Sequence, residues 1–171
     1  MKLETLLQTD ARWSGRLRIA EQPGRLRTLT AILAHSGDSW FWILGFTLTW
    51  WLGEEPWKTW ALRMLGMILV LALIVTALKF SIRRRRPEGE WGAIYRSTDP
   101  HSFPSGHAAR AALLAVLSVV WGPSWLGALL VLWAPIVSLA RVAMGLHYLS
   151  DVIAGATLGV TTGLLAVTIL G

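Results

Sequence analysis

The chain has 171 residues, 54% of them hydrophobic and 15% charged, and its mean hydropathy is +0.51. This composition excludes an ordinary soluble protein and predicts a single integral membrane domain over 1–171. The net charge of +6 accompanies long apolar segments, so it fits an anionic head group or substrate better than nucleic acid. The absence of cysteine excludes disulfides and thiol chemistry.

Residues 1–36 form the first segment, and arginines interrupt it too often for the apolar core of a signal peptide. After Pro23 and Gly24, apolar residues recur at helical spacing: Leu26, Leu29, Ile32 and Leu33. This pattern predicts an amphipathic helix that lies flat on the membrane surface.

Residues 37–171 contain charge-free runs long enough to cross a bilayer. The run 111–140 is too long for one span, and Gly122 and Pro123 in its middle favour a helix break. The predicted spans are 37–53, 57–82, 105–121, 125–145 and 149–170. We therefore expect an all-α fold, a bundle of about five transmembrane helices preceded by the interfacial segment.

Small residues and loop positions indicate how these helices meet. Gly155, Gly159 and Gly163 recur every four residues and predict a close approach between the last helix and a neighbour. With five crossings, the loop 83–104 and the turn 146–149 open on the same side of the bilayer. Polar residues from both segments can then converge.

A first polar cluster ends the second predicted span. Lys79 and Arg86 are seven positions apart, so they share a helix face if the helix continues to Pro87. They would then flank one anion. The alternative is that Lys79 and 83–86 are snorkelling and topogenic residues, and we assign that role to 83–85.

A second cluster, Pro104-Ser105-Gly106-His107, immediately precedes an apolar helix. The N–H groups of Ser105 and Gly106 would point at a phosphate held at the helix N-terminus, and the Ser105 hydroxyl can donate another hydrogen bond. His107 can protonate a leaving alkoxide near neutral pH. The same four residues also fit a capped helix start without a ligand.

A third cluster combines Arg141, His147 and Asp151. His147 and Asp151 are four apart and share a helix face, so the carboxylate can accept one ring proton and leave the other nitrogen free as a nucleophile. The pair alone also fits a structural hydrogen bond. Arg141 adds a forked donor suited to phosphate oxygens.

In order and spacing, these clusters resemble the three-part motif of the type 2 phosphatidic acid phosphatase superfamily, the integral membrane lipid phosphate phosphatases. The resemblance covers about 79–151. It implies that His147 forms a phosphohistidine, that Asp151 orients it and that His107 protonates the leaving group. The phosphate-binding residues that it implies are Lys79, Arg86, Ser105, Gly106 and Arg141.

The sequence departs from the family in two respects. Ala140 stands where the family usually has serine, so one hydrogen bond to phosphate or to a neighbouring group is expected to be absent. Many members have six spans, and the five spans predicted here would correspond to the last five of them.

The expected function is hydrolysis of a phosphomonoester or diphosphate of a membrane lipid. Three cations can neutralise the phosphoryl oxygens, so neither a metal nor another cofactor is expected. Polyprenyl phosphates or diphosphates, phosphatidic acid, phosphatidylglycerol phosphate and lipid A phosphates remain open as substrates. The alternatives are a non-catalytic lipid-phosphate binding or transport protein and a vanadate-dependent haloperoxidase, which the spans disfavour because those enzymes are soluble.

We expect the protein in the bacterial cytoplasmic membrane, and the sequence does not predict its oligomeric state. Basic residues before the first span and at 83–86 favour a cytoplasmic site, whereas the bacterial proteins that it resembles often work on the outer face.

Other polar residues receive weaker assignments. His101 either lines the substrate entrance or, as we favour, is a surface loop residue, and His35 is interfacial. Arg110 either extends the cationic pocket or pairs with an acid of the loop (Asp99, Glu88 or Glu90).

Overall fold

The structure, a computed structural model, describes residues 3–171 and confirms the all-α prediction. Residues 1 and 2 of the predicted interfacial segment lie outside the described residues. The helices of the described chain are α1 (Leu3–Leu17), α2 (Arg25–His35), α3 (Ser39–Leu52), α4 (Trp57–Ile82), α5 (Glu90–Arg96), α6 (Gly106–Trp121), α7 (Ser124–Ala143) and α8 (Leu149–Leu170).

Three helices are long and apolar enough to cross a membrane, namely α4, α7 and α8. Helix α6 is apolar but has 16 residues. Helix α3 has 14 residues and is shorter than a full span of about 20 residues. The chain breaks between α6 and α7 at Gly122 and Pro123, as predicted.

Helix α6 lies at the centre and packs mainly against α7 and α8. Its contact with α8 depends on the predicted glycine stripe: a Cβ at Gly155 would overlap the backbone oxygen of Ser105, and one at Gly159 would overlap that of Ala109. The close approach is therefore confirmed. It brings the Ser105 N–H within 2.9 Å of the Asp151 carbonyl oxygen, which places the second motif against the third.

Large apolar side chains cover the outer face of the bundle, as expected where lipid is the solvent. Exposed examples are Leu69 and Leu73 on α4, Leu132 and Leu139 on α7, and Ile153, Leu165 and Ile169 on α8. The protein is an integral membrane protein.

The N-terminal segment contains two helices. Helix α2 was predicted from the spacing of its apolar residues, whereas α1 was not predicted, nor was the short α5 in the loop before α6. Helix α1 lies at the end of the bundle where α7 connects to α8, because Ala20 N–H donates to the Ala143 carbonyl and Leu149 N–H donates to Ser14 Oγ.

Helix α4 spans Trp57–Ile82, the same residues as the predicted span 57–82. Arg83 adopts a left-handed conformation with φ of 51°, so the helix does not continue to Pro87, and the condition under which Lys79 and Arg86 would share a helix face is not met. The chain then becomes extended and pairs with the segment before α6 through Ser102 N–H and the Arg84 carbonyl. In an extended chain alternate side chains share a face, so Arg84 and Arg86 turn inward.

Candidate active site

The three motifs meet at one cavity of about 380 Å³ at one end of the bundle. Lys79 reaches it from α4, Gly106 and His107 from the start of α6, and His147 from the turn between α7 and α8. The convergence that the predicted topology required is therefore present in the structure.

His147 is buried, with 1% of its surface exposed. Its Nε2 accepts a hydrogen bond from Arg86 NH1 at 3.2 Å. Because a guanidinium can only donate, the ring proton belongs on Nδ1, which faces Asp151 Oδ2 at 3.6 Å. Burial lowers the pKa of His147 to about 3. The imidazole is therefore neutral at physiological pH, with a lone pair on Nε2.

Asp151 is fully buried in the first turn of α8. Its Oδ2 accepts the Tyr148 N–H at 2.9 Å, and its Oδ1 accepts a hydrogen bond from Arg84 NH1 at 2.6 Å. The distance of 3.6 Å between Asp151 Oδ2 and His147 Nδ1 exceeds hydrogen-bond range. Catalytic hydrogen bonds are often this long without substrate and tighten when substrate binds. The carboxylate is thus fixed on the Nδ1 side of the ring.

Two of the predicted phosphate-binding cations contact Asp99, an acid that the sequence had suggested only as a partner for Arg110. Lys79 Nζ and Arg86 NH2 both bind Asp99 Oδ2, the latter at 2.7 Å. Burial opposes ionisation of Asp99, but the hydrogen bond and charge of Lys79 outweigh it and hold the pKa of Asp99 below its usual value. A phosphate that binds these cations must compete with this carboxylate.

Arg141 is fully buried on α7, and its Nε and NH1 have no hydrogen-bond partner among the residues that the structure describes. Its guanidinium and that of Arg86 both lie over the Tyr95 ring, at 5.0 and 5.4 Å from the ring centre. A buried cation with unsatisfied donors is costly without an anion. Arg141 therefore fits its predicted role toward a phosphoryl group.

The second motif differs in part from its prediction. Ser105 N–H donates to the Asp151 carbonyl, so the expectation that this group points at phosphate is wrong. The Ser105 side chain caps α6 by accepting from Ala108 N–H at 3.5 Å, while its hydroxyl proton stays free to donate. Gly106 lines the cavity.

His107 Nε2 lies 2.6 Å from Asp38 Oδ1, a partner that was not predicted. Burial opposes ionisation of Asp38, but the hydrogen bond from His107 lowers the pKa of Asp38 below its usual value, so it accepts the Nε2 proton. The ring is thereby fixed with Nε2 toward Asp38, and Nδ1 carries a transferable proton when the ring is in its imidazolium form. The only feature of the sequence that could have pointed to this partner is the position of Asp38, an acid directly before an apolar run.

The remaining polar residues have the following positions. Arg110 donates to the Gly37 carbonyl and not to an acid of the loop 83–104, so it fastens the turn that carries Asp38. His35 Nδ1 lies 3.1 Å from Asp38 Oδ2. Arg84 forms ion pairs with Asp10 and Asp151. The assignment of Arg84 as a merely topogenic residue is therefore wrong.

Substituting Asp99 by Asn should strengthen inhibition by inorganic phosphate and by vanadate. The substitution removes the charge that competes for Lys79 and Arg86, so we expect both inhibition constants to fall by roughly two- to fivefold, as for a partly exposed ion pair. Glu88→Gln is the matched control, since that exposed acid belongs to the same loop and its side chain forms no ion pair among the described residues. Unchanged or weaker inhibition in Asp99→Asn would contradict the competition.

Comparisons with known proteins agree with the resemblance seen in the motifs. The family model described as "PAP2 superfamily" matches residues 60–171. An undecaprenyl-diphosphatase of Sulfolobus acidocaldarius is 33% identical over 63% of this chain and 56% of its own length. A decaprenylphosphoryl-5-phosphoribose phosphatase of Mycobacterium tuberculosis is 31% identical over 85% of this chain and 80% of its own length.

The fold is shared with a solved structure. The crystal structure of a transmembrane PAP2 type phosphatidylglycerolphosphate phosphatase from Bacillus subtilis superposes with a TM-score of 0.77. The alignment covers 96% of this chain and 85% of that protein, at 24% identity. At this identity the likeness establishes the fold alone.

Proposed function

Since the chain belongs to the PAP2 superfamily, we propose that it is a membrane phosphatase that hydrolyses a phosphomonoester or diphosphate of a lipid through a phosphohistidine at His147. The observation that carries the proposal is the cavity lined by His147, His107 and Lys79, with Arg86 hydrogen-bonded to His147 Nε2 at its edge. The names of the relatives, which are phosphatases of lipid phosphates, support it. We further propose that 1–171 act as one membrane domain in a bacterial cytoplasmic membrane.

In the first step the lone pair of His147 Nε2 forms a bond to phosphorus, and the bond from phosphorus to the lipid oxygen breaks. His107 enters this step as the imidazolium and gives its Nδ1 proton to that oxygen, which leaves as an alcohol or, from a diphosphate, as a monophosphate; His107 keeps its Nε2 proton and becomes neutral. The phosphorylated ring keeps its Nδ1 proton and becomes positive. Asp151 stabilises this charge.

In the second step a water molecule attacks the phosphohistidine and the bond between phosphorus and nitrogen breaks. His107, now without its proton, accepts one from the water, so the cycle ends with inorganic phosphate and the starting protonation states. Lys79, Arg86 and Arg141, with Ser105 and Gly106, bind the equatorial oxygens in both transition states. To do so, phosphate replaces the Asp99 carboxylate on Lys79 and Arg86.

The shape of the cavity supports a lipid substrate. Its polar end holds His107 and His147, and the wall continues down α4 along apolar residues that include Leu71 and Val75. A phosphate can lie at the polar end while its tail stays among apolar side chains and lipid. Polyprenyl phosphates and diphosphates are the first class to test, because one relative is named for undecaprenyl diphosphate and another for a phosphoribose carried on a decaprenylphosphoryl lipid.

The function is tested by measuring inorganic phosphate released by the purified protein from a panel of polyprenyl, diacylglycerol and lipid A phosphates. We expect many turnovers per protein on at least one lipid. A binding or transport protein would instead take up lipid phosphate without releasing free phosphate, and that result would overturn the proposal.

Chelation should leave turnover intact, because the positive charge that neutralises the phosphoryl oxygens comes from side chains of the chain itself. Among residues 3–171, the structure contains no cluster of His, Asp and Glu suited to holding a metal ion. We expect activity in EDTA to stay within about twofold of the untreated value, and vanadate, which mimics the five-coordinate transition state, to inhibit. Loss of turnover on chelation that added metal restores would refute metal independence.

A further inference from the structure

Helix α1 is bound to the first turn of α8, which is more than 130 positions away in sequence. Ser14 Oγ accepts the Leu149 N–H at 2.8 Å, and Asp10 Oδ1 accepts the Ser150 N–H at 3.1 Å. These N–H groups have no acceptor within their own helix. Helix α1 therefore caps the helix that carries Asp151.

Asp10 also makes an ion pair that leads to the nucleophile. Its Oδ2 accepts a hydrogen bond from Arg84 NH2 at 2.7 Å, and Arg84 NH1 donates to Asp151 Oδ1 at 2.6 Å. Asp151 in turn faces His147 Nδ1. One guanidinium is thus shared by two carboxylates, of which one orients the histidine.

The sharing has an electrostatic consequence. Two carboxylates around one guanidinium leave a net negative charge beside His147, which the positive phosphorylated ring can balance. Without the charge of Asp10, Arg84 would neutralise Asp151 more completely and weaken its attraction for the Nδ1 proton. Because Asp151 is fully buried, this interaction is only weakly screened by solvent.

From these contacts we infer that Asp10 is a positioning residue for the nucleophile. Its carboxylate shares the charge of Arg84 with Asp151, so that Asp151 retains the negative charge needed to orient His147 and stabilise the phosphohistidine. The inference rests on the proposed function of His147. Asp10 itself does not touch the substrate, so its contribution is to turnover and not to binding.

The test compares Asp10→Asn with Ser14→Ala in the same detergent. Asn keeps an oxygen for the Ser150 N–H but removes the charge beside Arg84. Ser14→Ala removes the neighbouring cap and the 3.4 Å hydrogen bond from Ser14 Oγ to Asp10 Oδ1, but it leaves all the charges of the two ion pairs in place. We expect kcat of Asp10→Asn to fall about 10- to 100-fold with KM nearly unchanged. Ser14→Ala should keep kcat within about twofold of the wild type, and both variants should show similar small losses in thermal stability.

A second readout does not need turnover. In protein labelled with ¹⁵N-histidine, with the resonances of residue 147 identified by their loss in His147→Gln, Asp10→Asn should shift the Nδ1 signal and Ser14→Ala should not. Wild-type kcat and an unshifted Nδ1 signal in Asp10→Asn would overturn the inference, as would equal kcat losses in both variants. A wild type that releases no phosphate would instead refute the proposed function, while the Nδ1 signal would still test the contact.

Discussion

Replacing His147 by Ala is expected to abolish turnover, with a loss of at least about 10⁴-fold in kcat, because no other group then forms the covalent intermediate. Asp151→Asn should slow turnover by about 10²- to 10⁴-fold, since the ring loses the charge that orients it and balances the intermediate. It should leave KM largely unchanged. Both effects are measured as phosphate release from a short-chain lipid phosphate.

The control for this pair of variants is His101→Ala. His101 lies in the loop before α6, lines the same cavity and packs edge-on against Phe80, 5.5 Å between ring centres, but it makes no contact with His147 among those the structure records, so it controls for loss of a cavity histidine that takes no part in the chemistry. It should remain active. Wild-type turnover in His147→Ala would end the assignment of the nucleophile, whatever the behaviour of the control.

Replacing His107 by Ala should cost about 10²- to 10⁴-fold in kcat on a phosphomonoester of a lipid alcohol, because the alkoxide then leaves without a proton. The loss should be much smaller on an aryl phosphate such as p-nitrophenyl phosphate, whose phenolate needs no protonation. Asp38→Asn should show the same dependence on the leaving group to a smaller extent, since Asp38 fixes the ring of His107 at 2.6 Å.

The leaving-group comparison also separates the candidate substrates. A lipid diphosphate loses a monophosphate, which is a better leaving group than an alkoxide, so His107→Ala should impair diphosphate hydrolysis less than monophosphate hydrolysis. Equal losses on alkyl and aryl phosphates would show that His107 binds phosphate instead of protonating the leaving oxygen.

Much of the fold could be predicted because lipid imposes simple rules on sequence. Long apolar runs located the helices, the Gly122-Pro123 break separated α6 from α7, and the glycines of α8 indicated its close contact with α6. Helix α1 was missed because its apolar residues are interrupted by charges. The end of α4 at Ile82 agrees with the predicted span, but the turn of the chain after it was not predictable, because a left-handed residue such as Arg83 has no marker in a run of arginines.

The site was predictable to the extent that its residues lie in fixed spacings near one another in sequence. His147 and Asp151 are such a pair. Their long-range partners were not predictable, since Asp10, Asp38 and Asp99 are ordinary acids in sequence and acquire their roles only when distant segments meet. Arg84 can be interpreted once the structure shows that it faces inward, because a largely buried arginine at a membrane edge requires an acidic partner, and it has two in Asp10 and Asp151.

The central claim is that the phosphoryl group passes through Nε2 of His147. The most direct measurement is to mix the purified protein with a ³²P-labelled lipid phosphate, quench it in alkali, which preserves phosphohistidine, and locate the label by mass spectrometry. We predict label on the peptide that contains residue 147, which disappears on a chase with unlabelled substrate and is absent from His147→Ala. Rapid phosphate release with label on another residue, or with no labelled protein at any time, would contradict the account.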